Sequence, residues 1–91
     1  MPVEKIFPDA DSFRTELKRL GITKIVFAYT NERRVETSDE KITVLPYIRL
    51  EVIAYMDAVI YKYVAKNVDL DAMYAMFSED FEVKKVNRNI T

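Results

Sequence analysis

The sequence predicts an α+β fold, a small antiparallel sheet of about four strands packed against helices, in the order α-β-β-β-α-α-β. Three observations carry that expectation. A fully punctuated amphipathic helix lies near the N-terminus, a β-branched and aromatic run follows it directly, and a long apolar stretch occupies residues 46–66. The 91 residues are expected to form a single compact domain over 1–91, because no glycine-, serine- or proline-rich run marks a linker and no internal repeat is present.

The first helix is written in PDADSFRTELKRLG. Asp9 or Asp11 serves as N-cap, and Phe13, Leu17 and Leu20 form one apolar stripe. Lys18 and Arg19 fall in the last turn, Gly21 stands where a left-handed residue is wanted, and Ile22 can close onto that turn. The run ITKIVFAYT reads as a central strand, with Ile25, Phe27 and Tyr29 on one face and Val26 and Ala28 on the other. Asn31-Glu32 is expected to turn the chain into a short polar edge strand from Arg33 to Thr37. Ser38, Asp39 and Glu40 supply the next turn, and Ile42 to Leu45 form a third strand that Pro46 stops.

Pro46 is then placed at the start of a long helix running to about Lys66. Between Tyr47 and Ala65 only Arg49, Glu51, Asp57 and Lys62 are charged, and on a helix these scatter around the cylinder, leaving apolar residues on several faces. Four charges speak against a membrane span. A helix packed on more than one side is the expected solution, with a second subunit as one of its partners. Asp69 is the N-cap of a third helix ending near Ser78, with Val68 and Met73 placed as a hydrophobic staple. FEVKKVNRNI closes the chain as a strand whose alternation Lys84-Lys85 interrupts.

Composition removes whole classes of chemistry. The chain has no histidine, cysteine, tryptophan or glutamine, so it carries no histidine-based triad, no imidazole or thiolate zinc site and no disulfide. One glycine cannot form a Gly-rich phosphate loop. Asp69, Asp71, Glu79, Asp80 and Glu82 lack calcium-loop spacing, and capping accounts for the first two. Asp57 and Glu51, set among apolar neighbours on the supposed helix, read as ion-paired carboxylates rather than as general bases. No catalytic residue, metal or cofactor is therefore assigned, and an enzyme is the least favoured reading.

Two binding readings remain. The tyrosine-bearing stretch suggests self-association, a dimer being favoured, with Tyr47, Ile48, Val52, Tyr55, Val59 and Tyr63 as interface candidates; a heterologous protein partner is the variant of the same reading. The alternative is a nucleic-acid-binding patch made of Lys18, Arg19, Lys24, Arg33, Arg34, Lys84, Lys85 and Arg88, with Tyr29 stacking on a base. A net charge of −1 weighs against it: residues 35–83 hold ten acidic and four basic side chains. MPVEKIFPDAD has no apolar run of signal-peptide length, and with no cysteine a cytoplasmic location is expected. The glutamine- and cysteine-free, glycine-poor, highly charged composition also fits a heat-adapted chain.

Overall fold

The computed structural model describes residues 3–88, apart from the side chains of Arg34, Glu36, Leu45 and Pro46. Seven elements follow one another: β1 (Val3–Phe7), α1 (Ala10–Arg19), β2 (Lys24–Ser38), β3 (Lys41–Met56), β4 (Val59–Lys66), α2 (Leu70–Ser78) and β5 (Glu82–Asn87). They form one five-stranded sheet in the order β1-β4-β3-β2-β5. The sheet is mixed, with β1 parallel to β4 and β5 parallel to β2, while β3 runs antiparallel to both of its neighbours.

The α+β class stands, but the expected four-stranded antiparallel sheet and its element order do not. The stretch 46–66, expected as a helix, is the end of β3, a tight turn and all of β4. Its residues explain why. Tyr47, Ile48, Val52, Ile53, Tyr55, Val59, Ile60, Tyr61, Tyr63 and Val64 are β-branched or aromatic, types that fit a pleated surface and lose rotamer freedom in a helix. Met56 pairs with Val59 across a two-residue turn in which Asp57 adopts φ 55°, a left-handed conformation that a short polar side chain tolerates. Asp57 is thus an exposed turn residue, not a buried carboxylate.

Four further points differ from the sequence reading. Residues 3–7 form an edge strand, β1, whose Val3 N–H donates to the Ala58 carbonyl at 2.9 Å. The predicted strands 33–37 and 42–45 are parts of β2 and β3, which pair without a bulge from Val26↔Ile53 to Ser38↔Lys41. Pro46 does not stop β3, because among the described residues β3 has no neighbour on its other side there and a missing N–H is harmless. Lys84-Lys85 likewise leaves β5 uninterrupted; Lys85 turns to the helical face, where its Nζ sits 4.2 Å from the Tyr74 ring centroid.

Both helices carry the predicted punctuation. The Asp9 carboxylate accepts from the Ser12 N–H at 2.7 Å, and that bond is the main reason its pKa is held below the ordinary carboxylate value. At the other end of α1, the Gly21 N–H donates to Lys18 and the Ile22 N–H to Leu17, with Gly21 at φ 75°: a Schellman closure. Asp69 caps α2 by accepting from the N–H groups of Asp71 and Ala72. The apolar stripes of α1 and α2 lie on one face of the sheet, where Phe13, Leu17, Ile25, Phe27, Leu50, Val52, Ala54, Tyr61, Phe77 and Phe81 make the core.

An ion-pair latch joins α1 to the turn after α2. Asp80 receives Arg14 Nη2 at 2.8 Å and Lys18 Nζ at 2.9 Å, and these hydrogen bonds, Arg14 first, hold its carboxyl below the ordinary value. A carboxylate with a lowered folded-state pKa adds stability above its unfolded-state pKa and loses it as pH falls through the folded value. Asp80→Asn is therefore expected to lower the melting temperature at pH 7, with the gap to the wild type closing as acid protonates Asp80. A pH series of thermal melts checks this; a gap of constant size down to pH 2 would remove the latch from the account.

Candidate interaction surfaces

Because both helices cover the same side of the sheet, the alternate residues of every strand face the other side, which no helix or further strand covers among the described residues. In the middle of this open face stands Glu51, which is only 8% exposed. Its carboxylate meets Arg88 Nη1 at 2.8 Å and Arg49 Nη1 at 3.1 Å, with Lys62 Nζ 4.0 Å away. Lys62 in turn reaches Glu4 at 3.3 Å. The cluster links β1, β4 and β3 to the residue following β5, and it answers the sequence-based question about Glu51: the charge is paired. Around it lie the buried Ala28 and Ile53 and the half-buried Val26, Ile60, Val64 and Val86, and this side of the sheet ends at the exposed Tyr55.

The second surface is an arm. β4 pairs with β3 only from Arg49 onward, and β5 accompanies β2 only as far as Tyr29, where the Arg88 N–H donates to the Tyr29 carbonyl. Residues 31–38 and 41–48 therefore continue as a two-stranded ribbon beyond the five-stranded body, a reach of about 25 Å at the usual rise per residue. Near its root the Tyr47 hydroxyl donates to Glu32 at 2.5 Å. At its tip the turn uses Asp39 at φ 44°. On the face continuous with the core, Val35 stands opposite Val44 and Thr37 opposite Ile42; Val35, Ile42 and Val44 are 60%, 74% and 49% exposed.

The six interface candidates do not share one surface. Val52 is fully buried beneath the helices, and Val59 and Tyr63 pack partly buried on the same side. Tyr55 and Tyr47 occupy the opposite face, and Ile48 is half-buried at the root of the arm. Of the residues that matter on the arm, the sequence marks Val35 as the one residue of its polar strand fit for burial and Ile42 and Val44 only as strand residues. Their signal lies in the register: Ile42 and Val44 are two positions apart on β3, and Val35 stands directly opposite Val44.

The basic candidates are also spread out. Lys18 and Arg19 lie on α1, held by Asp80 and Glu16, and Lys24 lies 4.0 Å from Glu82 at the start of β2. Arg33 is on the arm, and the Arg34 side chain lies outside the described ones. Among the described side chains of this set, Lys84 and Arg88 lie on the open face, Arg88 against Glu51, while Lys85 points to the helical side. Tyr29 is half-buried against the core rather than free to stack on a base.

Among the described residues, no group of three or more His, Cys, Asp or Glu side chains could hold a metal ion. No helix among them is long and apolar enough to cross a membrane. Comparison with protein-family models, with curated proteins and with solved structures finds no match.

Proposed function

We propose that the protein is a self-associating interaction module, not an enzyme, and that the β2–β3 arm is its adhesive element. The observation that supports this is the exposed apolar face of Val35, Ile42 and Val44 on a ribbon that no helix or further strand accompanies among the described residues. A two-stranded ribbon is at best marginally stable in water, and gains most from a third strand or an apolar cover. Apolar side chains grouped on a projecting element mark an association surface rather than ordinary surface scatter. Closed two-fold pairing is the commonest way for identical chains to satisfy such a surface.

Light scattering coupled to size-exclusion chromatography tests the proposal. At micromolar concentration the expected mass is twice the 10.7 kDa of one chain, falling toward one chain on dilution. A mass of 10.7 kDa throughout, up to the highest attainable concentration, contradicts it.

A further inference from the structure

Resting on the self-association reading, we infer that two copies join antiparallel through the free edge of β2, in a register centred on Val35. The backbone decides which residues can take part. In a bulge-free strand alternate residues point their N–H and C=O to the same side. The Tyr29 carbonyl faces the β5 side, since it accepts from the Arg88 N–H at 2.9 Å. The β2–β3 register is unbroken, so Arg33, Val35 and Thr37 direct their backbone groups off that same edge, beyond Tyr29, the last β2 residue that β5 pairs with among the described residues.

The other edge of the arm is less suited. The Ile48 carbonyl accepts from the Asn67 N–H at 2.8 Å and so faces the β4 side, which puts Pro46, Val44 and Ile42 in the outward set of β3. Pro46 has no N–H to offer at that edge. The β2 edge has no proline.

Two copies of the β2 edge can meet only in registers that place outward residues against outward residues. Centring on Arg33, Arg34 or Glu36 sets a charged residue against its own copy, which is unfavourable directly across a strand pair. Centring on Thr37 shortens the overlap to 36–38 before the turn at Asp39. Centring on Val35 sets valine against valine, Arg33 against Thr37 and Glu32 against Ser38. It also sets position 34 against position 36, where the sequence supplies arginine and glutamate, once on each side of the two-fold axis. The overlap 32–38 stays clear of Tyr29, where β5 takes up the edge. The pairing turns two ribbons into a four-stranded sheet and joins their exposed valine and isoleucine stripes.

The test uses the full chain, which has no cysteine to interfere. In a hydrogen-bonded antiparallel pair Cα atoms lie about 5.5 Å apart, within the roughly 4.4–6.8 Å that a disulfide spans. Val35→Cys is expected to form a disulfide-linked dimer under mild oxidation, and Ile42→Cys, away from the edge contact, is expected not to. By light scattering, Glu36→Arg should weaken the dimer about tenfold by setting like charges across both pairs, and Arg34→Glu/Glu36→Arg should restore it. Circular dichroism confirms that each variant is folded. A wild-type dimer that cross-links at 42 but not at 35, or whose charge reversals are simply additive, overturns this register and leaves self-association standing. A wild-type chain that stays monomeric overturns both.

Discussion

Replacing Phe77 with alanine is expected to destabilise the protein by roughly 3–5 kcal/mol, the cost of emptying a buried aromatic site that cannot collapse. Phe77 is fully buried, and its ring centroid lies 5.5 Å from Phe27, 6.1 Å from Phe13 and 6.4 Å from Phe81. Those partners belong to β2, α1 and the turn before β5, so one side chain holds both helices to the sheet. The Arg14 guanidinium, which carries the Asp80 latch, also lies over this ring at 6.0 Å. Domains of this size have only about 5–15 kcal/mol in hand, and the melting temperature should fall by roughly 15–25 °C. Calorimetry of Phe77→Ala checks this; a fall of only a few degrees would mean that the aromatic cluster is not the keystone.

Excising the arm should have the opposite profile. Every residue of the core cluster lies outside residues 31–48, and the Glu51 ion cluster is also built from the body. Joining Glu32 to Tyr47 through an Asn-Gly turn, a pair that favours the two-residue hairpin connection, is expected to leave the melting temperature within about 5 °C of the wild type at a concentration where both are monomeric. Self-association should fall at least about tenfold, since the β2 edge through which the two copies are inferred to join is gone. Thermal melts and sedimentation velocity on the same samples separate the two effects. A shortened chain that unfolds would show that the arm belongs to the folding unit, and one that still dimerises would move the interface to the body, to the open face near the exposed Tyr55.

The parts legible in the sequence were those specified by local signals. Asp9, Gly21 and Asp69 each occupy a position whose backbone chemistry is nearly self-explanatory, and α1 and α2 appear where those residues place them. The central strand with Ile25, Phe27 and Tyr29 facing the core was legible for the same reason. The stretch 46–66 was not, because it is apolar on two faces, and an apolar run can be given either a helical or a strand period. The distinguishing clue lay in its charges. On a helix Arg49, Glu51 and Lys62 scatter; on the β3–β4 hairpin they share the open face and meet in one ion cluster. Asp57 then becomes intelligible as the turn between the strands. Charges that form no face at one period and a single face at the other argue for the second.

The arm was obscured for a different reason. Asn31-Glu32 looked like a turn between short strands, whereas a ribbon with both edges open among the described residues is solvated enough to be polar along its whole length. Its apolar residues, Val35, Ile42 and Val44, acquire meaning only once the register sets them side by side. The interface candidates failed to gather because their common helix does not exist; two faces of a sheet separate what one helix would have displayed together.

Amide hydrogen exchange measured across a range of protein concentrations tests the central claim most directly. In a single copy the N–H groups of Arg33, Val35 and Thr37 point off the β2 edge, and those of Val44 and Ile42 point off the β3 edge. The account predicts that exchange at Val35 slows as concentration rises through the dimerisation range, while exchange at Val44 stays fast. Exchange at Val35 that is equally fast at every concentration would contradict it.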